Sequence, residues 1–195
     1  VLAATENLGI NRWNMKIQPN LFEDIRSWSR EIAEQYSPHH GMSACPYAAQ
    51  AWKNNQVQVS SADRLITAIR AAKTEITIWP SFKVGTYEHQ ARRVERLNAC
   101  LAQRDLHLIL FHPDAPVASD DTFAAENEWQ SSIEDEYLLI FIQRLGGLNR
   151  ASEQLERAGY YDNASPEFKA AVQNRRKLSN GSRTSPNGQK KAGKA

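Results

Sequence analysis

Leu106-His107-Leu108-Ile109-Leu110-Phe111 is a near-continuous apolar run of strand length, the pattern typical of a strand that is buried on both faces of a sheet. Two shorter strand patterns precede it, at 57–59 and at 75–79. Helical apolar stripes follow each of them, over 65–69 and 87–101. Strand, helix, strand, helix and strand joined by short connections predict parallel pairing with right-handed crossovers.

Further helices are predicted on both sides of this βαβαβ pattern. One begins at Asn20, and another begins at the Cys45-Pro46 pair. After the last strand, a helix is expected over 133–145, where acidic residues crowd the first turn and Gly146-Gly147 ends it. The chain is therefore predicted to hold a single α/β domain over residues 20–172, with a small, mainly parallel sheet, an N-terminal helix and a helical C-terminal part.

Charge is distributed unevenly along the chain. The 24 basic and 22 acidic residues give +2 overall, but 175–194 holds seven basic residues and no acid, which leaves −5 for 1–172. Residues 1–19 show no clear period and are predicted to form an arm. A last helix starts at Ser165-Pro166-Glu167 and passes into 173–195, a basic tail that is predicted to be disordered.

Composition excludes several classes of protein. With 41% hydrophobic and 24% charged residues the chain is typical of a soluble globular protein, and no window is apolar enough to span a membrane. Two cysteines without Cys-x-x-Cys spacing exclude a disulfide scaffold and favour a reducing, cytoplasmic compartment. No glycine-rich phosphate loop occurs, and specific nucleic-acid binding by the basic tail is not expected.

Cys45 is the most chemically suggestive residue, because it precedes Pro46 at a predicted helix start. A thiol there lies near the positive end of the helix dipole, and the N–H groups of Tyr47 and Ala48 can face the sulfur. Both effects favour the thiolate, which is the nucleophilic form. The alternative is a buried, unreactive cysteine that packs like a small hydrophobic residue. Cys100, on the apolar side of a helix, is interpreted as structural.

A second candidate centre is Phe111-His112-Pro113-Asp114, directly after the apolar strand. Ligands of open α/β sheets bind beyond the carboxyl ends of the strands, where His112 and Asp114 could be a base and its orienting partner, or two metal ligands. The alternative is a strand-end turn held by Asp114. His89 and His107 are interpreted as a surface residue and a strand residue.

Four further residues complete the predicted binding set. His39 and His40 lie in the loop before the thiol, within reach of it across a short turn. Tyr47 follows the Cys-Pro pair, and Trp79 ends a strand and is interpreted as a core or pocket-wall residue. The sequence identifies no reaction, no substrate and no cofactor.

Two short motifs resemble those of a known family. Ala44-Cys45-Pro46-Tyr47-Ala48 and Phe111-His112-Pro113-Asp114 resemble, in order and spacing, the Leu-Cys-Pro-Phe-Ala and Phe-His-Pro-Asp motifs of a bacterial and plant family known only as domain of unknown function fourteen-fifteen. The resemblance covers roughly residues 25–145 and implies that Cys45 and His112 form a paired site. Cys45-Pro46-Tyr47 is also similar to the Cys-Pro-Tyr-Cys motif of glutaredoxins, and Ala48 in place of the second Cys leaves only monothiol chemistry.

Three functions are compatible with these candidates. The first is a thiol-dependent enzyme that acts on a small molecule, with Cys45 as nucleophile or redox centre, His112 as base or acid and Asp114 orienting it. The second is a non-enzymatic binding or assembly module whose acidic segment, residues 120–136, engages a basic protein partner. The third is a metal site built from His39, His40, His112 and Asp114.

Overall fold

The computed structural model describes most of the chain between residues 21 and 181. The described residues are 21–31, 34, 36–37, 42–43, 45–81, 83–115, 137–162 and 164–181. Their helices are α1 (Leu21–Glu31), α2 (Pro46–Lys53), α3 (Leu65–Ala71), α4 (Tyr87–Leu101), α5 (Leu145–Arg157) and α6 (Pro166–Gly181). Their strands are β1 (Tyr36–Ser37), β2 (Met42–Ser43), β3 (Val57–Val59), β4 (Ile76–Ser81), β5 (Leu106–Phe111) and β6 (Leu138–Arg144). None of these helices is long and apolar enough to cross a membrane.

Four strands form one mixed sheet in the order β3-β4-β6-β5. β3 and β4 are parallel, whereas β6 lies between β4 and β5 and is antiparallel to both. The predicted α/β class is therefore confirmed, and the prediction of a mainly parallel sheet is wrong. β1 and β2 pair separately as a short antiparallel ladder.

The sheet differs from the prediction because of β6, which forms in the second half of the segment predicted to be a helix, 133–145. All residues from Leu138 to Ile142 are buried, as in a central strand that is covered on both faces. In the register, Ile140 lies opposite Trp79 of β4 and Leu110 of β5. This inserted antiparallel strand separates β4 from β5, which the strand–helix alternation predicted to be parallel neighbours.

Side chains that alternate along the strands build one core on each side of the sheet. On the first face, α1, α2 and α5 pack against Ile76, Ile78, Ile109, Phe111, Leu139 and Phe141. On the second face, α3 and α4 pack against Trp79, Leu106, Leu108, Leu110, Leu138, Ile140 and Ile142. The position of a residue along its strand therefore decides which set of helices it meets.

Gly146-Gly147 lies in the first turn of α5 and does not end a helix, contrary to the prediction. The Gly146 N–H donates to Oδ1 of Asp105 at 2.7 Å, so this aspartate satisfies one of the free N–H groups of the helix. A Cβ on Gly147 would lie 2.7 Å from Glu75 Oε2 and 3.1 Å from Tyr47 Cε2. Glycine thus lets α5 approach the start of β4 and α2 closely.

α6 begins where the sequence predicts, since the Phe168 N–H donates to Oγ of Ser165 at 3.1 Å. The helix continues through residues 173–181, which the sequence assigns to the basic tail. Two arginines of that segment hydrogen-bond to side chains of α5, which fixes it to the body of the protein. The rest of the tail, 182–195, and the predicted arm, 1–19, lie outside the described residues.

Candidate functional site

Cys45 precedes the first turn of α2 and is followed by Pro46, as the sequence predicts. It is half-buried against the core of the first face, and its thiol makes no capping hydrogen bond. Burial raises the pKa of the Cys45 thiol above its ordinary value, and this outweighs the nearby N–H groups of Ala48 and Tyr47 and the charge of Arg175, which lower it. The thiol is therefore protonated at neutral pH, whereas the helix start predicted a stabilised thiolate.

We expect Cys45 to be alkylated by iodoacetamide at least about tenfold more slowly than Cys100 in the folded protein, because only thiolates react and only Cys100 is exposed. Mass spectrometry of the native protein over time measures both rates. Denaturing the protein should bring the two rates together. Rapid native alkylation of Cys45 would contradict this expectation and support the thiol enzyme.

His112 is buried after the end of β5 and is held by a backbone group. The Asp114 N–H donates to Nδ1 of His112 at 3.0 Å, so the neutral ring carries its hydrogen on Nε2. Asp114 itself is exposed, and its backbone rather than its carboxylate orients the imidazole. The Nε2 atom is buried and has no hydrogen-bond partner among the described residues. In this tautomer His112 donates through Nε2 and offers no lone pair there for a base.

Cys45 and His112 lie on opposite faces of the sheet. Cys45 packs against the first-face core, whereas His112 continues the alternation of Leu108 and Leu110 on the second face, and its ring contacts Tyr87 of α4 with centroids 5.8 Å apart. The structure therefore does not bring the predicted catalytic pair together.

Tyr47 and Trp79, predicted to bind ligand, are core residues with their polar atoms satisfied. The Tyr47 hydroxyl donates to the Glu75 carbonyl oxygen at 2.9 Å and lies 3.1 Å from Oε2 of the same residue. Trp79 Nε1 donates to the Ala62 carbonyl oxygen at 2.7 Å. Both aromatic residues are buried, so each contributes to packing at its place in the described structure.

The remaining predictions fall mostly on residues without a description. His39 and His40 lie outside the described residues, and so does the whole acidic segment, residues 120–136. In the part of the chain that the structure describes, no three metal-ligating side chains cluster, and His112 and Asp114 meet only through the amide contact. The assembly module and the metal site stay predictions.

A different polar centre lies on the first face, at the start of β5. His107 and Gln143 are directly opposite each other in the β5–β6 register, where Cβ atoms are about 5 Å apart and side chains share one face. Gln143 is 4% exposed. Its Oε1 and the Nδ1 of His107 are both buried, and neither has a hydrogen-bond partner in the part of the chain that the structure describes. Such groups cost free energy unless another molecule satisfies them.

Arg175 of α6 lies beside this centre. It is half-buried, its Nε donates to Oδ1 of Asn149 at 3.1 Å, and it lies close to the Tyr161 side chain. Asn149 is a neutral partner, and no carboxylate of the described residues lies within ion-pair distance of Arg175. The next residue, Arg176, does pair with a carboxylate, that of Glu156. Among the described residues, Arg175 is thus a partly desolvated charge without a counter-charge.

Burial and the nearby charge of Arg175 lower the pKa of His107 to about 4. The imidazole is therefore neutral at physiological pH. It adds hydrogen-bonding capacity beside Arg175 but no second positive charge.

An open groove of about 650 Å³ leads to these residues. Its walls are α4 and α6, and its floor includes His107 and Ile109 from the first face of β5 and Leu110 from the second. Because residues from both faces line it, the groove runs over the outer edge of β5. We call it the edge groove. Its lining is mainly apolar, with His107 and Arg175 among its polar members, and its volume is in the range of ligand sites.

Comparisons with known proteins add no family to this description. The chain matches no family model, no curated protein and no solved structure. The resemblance to the domain-of-unknown-function family therefore stays a prediction, and the function is argued from the geometry of the site.

Sequence reasoning missed His107, Gln143 and Arg175 as site residues. The sequence offered a signal for two of them, because His107 interrupts an apolar strand segment and Gln143 directly follows one. Arg175 gave no such signal, since it begins the run of basic residues that composition assigns to a tail. Only the docking of α6 shows that Arg175 is part of the folded body.

Proposed function

We propose that the edge groove binds an organic anion that has an apolar body. The observation that carries the proposal is Arg175, a half-buried guanidinium that lines a mainly apolar groove and has only neutral partners among the described residues. A charge removed from water without a counter-charge is unfavourable. A bound carboxylate or sulfonate would offset that cost at Arg175.

The surroundings of Arg175 suit an anion of this kind. Guanidinium groups bind carboxylates and other oxyanions through parallel N–H bonds, and the bond from Nε to Asn149 holds the Arg175 side chain in position. His107 is neutral and offers a hydrogen bond. Apolar side chains from both walls and the floor would cover the rest of the ligand: Val94, Ile109, Leu110, Val172 and Leu178.

Anilinonaphthalenesulfonate, an aromatic sulfonate whose fluorescence rises in apolar surroundings, tests this proposal. We expect it to bind the full chain, and the Arg175→Gln variant to bind it about 10- to 100-fold more weakly, the usual effect of losing a charged hydrogen-bond partner. Fluorescence titration measures the affinity.

The matched control is Lys177→Gln, which makes the same charge change on the same helix at an exposed position. Lys177 hydrogen-bonds only to Asn174 among the described residues, so its replacement should change the affinity by less than about threefold, since surface charges contribute little. Equal losses in both variants would show that overall charge, not a site at Arg175, attracts the dye. That result would reject the proposed function.

A further inference from the structure

The outer edge of β5 is covered at one residue by a side chain. Asn98 of α4 donates from Nδ2 to the Leu108 carbonyl oxygen at 3.0 Å and accepts from the Leu108 N–H at 2.7 Å. The amide of Asn98 thus takes the place of a neighbouring strand. It follows that the backbone groups of Leu108 point away from β6.

Leu110 presents the same edge without such a partner. Backbone groups alternate in direction along a strand, so the N–H and C=O of Leu110 also point away from β6. Leu110 lines the edge groove, and no described residue outside the sheet hydrogen-bonds to its backbone. This pair of strand groups faces the groove and is not covered by any described residue, and uncovered edges of this kind recruit extended chains.

The walls of the groove match the side chains of an added strand. Successive side chains of a strand point to opposite faces of its sheet. A strand added beside β5 would direct one side chain toward α4, where Val94 lines the groove, and the next toward α6, where Val172 lines it. Both faces of such a strand would be covered by apolar residues.

We infer that the anion of the edge groove is the C-terminal carboxylate of an extended peptide, which pairs with Leu110 as an added strand. The inference rests on the proposed function, because Arg175 supplies the charge that the carboxylate needs. His107 and Leu110 are three residues apart, about 10 Å along a strand. A peptide that pairs at Leu110 thus needs only three or four residues to reach the end of the groove at Arg175. Asn98 covers the edge at Leu108, which lies between these two residues of β5. Backbone pairing is therefore confined to Leu110, and the peptide residues that continue toward Arg175 pass over Asn98.

Synthetic tetrapeptides of sequence acetyl-Thr-Val-Thr-Val test the inference on the full chain. The free acid should displace anilinonaphthalenesulfonate and slow the hydrogen exchange of the Leu110 amide by about tenfold or more, as strand pairing protects an amide. The C-terminal amide of the same peptide should bind about tenfold more weakly, because it lacks the charge that pairs with Arg175.

N-methylation of the peptide backbone tests whether the peptide binds as an added strand. Two versions of the acid carry N-methyl groups either on the first and third residues or on the second and fourth, so each blocks the N–H groups that point to one edge of the peptide. Strand addition uses one edge only. We therefore expect one version to bind about tenfold more weakly and the other to keep its affinity within about threefold.

The outcomes separate this inference from the proposed function. If the dye binds in an Arg175-dependent way but the peptide acid does not displace it, or both methylated versions bind alike, or the Leu110 amide is not protected, strand addition is wrong and anion binding stands. If the dye does not depend on Arg175, both fail. Asymmetric loss on methylation together with protection of Leu110 supports the added strand.

Discussion

Replacing Asn98 with leucine is expected to lower the free energy of unfolding by about 2–6 kcal/mol, because the N–H and C=O of Leu108 both lose their partner, and each buried unsatisfied group costs about 1–3 kcal/mol. Leu108 is 1% exposed, and leucine has the same number of side-chain heavy atoms as asparagine, branched at the same carbon. Steric change is thus small, and the lost hydrogen bonds dominate. Urea unfolding followed by circular dichroism measures the effect, read from the midpoint at unchanged slope.

Asn174→Leu is the matched control for this substitution. Asn174 also lines the edge groove, but it is exposed, and its single hydrogen bond to another described residue is the one it accepts from Lys177 Nζ, at 3.3 Å. Its replacement should change stability by less than about 0.5 kcal/mol, as is usual for surface positions. Equal losses in the two variants would show that Asn98 does not cover the strand edge in solution.

The same substitution carries a second expectation. Without Asn98 the outer edge of β5 presents the open groups of Leu108 together with those of Leu110, a longer edge that other strands can pair with. Asn98→Leu should therefore self-associate at concentrations where the native chain does not, which sedimentation velocity detects.

Local patterns along the chain predicted most individual elements. β5 was expected over the residues that form it, because six apolar-rich residues before a Pro suit a buried strand and are too short for a helix. The start of α6 at Pro166 follows from the Ser cap and the fixed φ of Pro at a first helical position. These features depend on interactions between residues close in sequence.

The sheet order could not be predicted in the same way. A short apolar run such as Leu138–Ile142 suits a buried strand or a buried helix, and the acids before it favoured the helix. Once β6 is a strand, its place between β4 and β5 is decided by long-range packing on both faces. No local sequence pattern predicts that β6 lies between β4 and β5.

The predicted pairing of Cys45 with His112 depended on the same long-range packing, and the structure does not bring the two residues together. Cys45 and His112 each lie where local chemistry predicted, at a helix start and after a strand. Whether they meet depends on the face that each occupies, and His112 shares the second face with Leu110. Conversely, His107 meets Gln143 only because β6 is the neighbour of β5. The strand order and the face of each residue decide which residues far apart in sequence lie together. A wrong strand order therefore predicts the wrong set of neighbouring residues.

Acid is expected to destabilise the protein through His107. In the folded state its pKa is lowered to about 4, whereas in the unfolded chain it returns to the ordinary value of 6.5. Between these values the unfolded chain binds the additional proton, so stability is complete above pH 6.5 and falls as the pH decreases toward 4. The loss that is due to His107 amounts to at most about 3 kcal/mol, at about 1.4 kcal/mol for each unit of pKa difference.

The difference between the native chain and His107→Gln isolates this contribution from the carboxylates that also titrate in acid. Glutamine keeps a polar group opposite Gln143 but takes up no proton, so its free energy of unfolding should fall less steeply between pH 6.5 and 4. His89→Gln, which removes an exposed histidine of α4, should follow the native curve. If all three curves run parallel, His107 is not desolvated beside Arg175, and the polar end of the edge groove is open to water. The unpaired charge of Arg175 would then be screened by solvent, and the reason to expect an anion there would be lost.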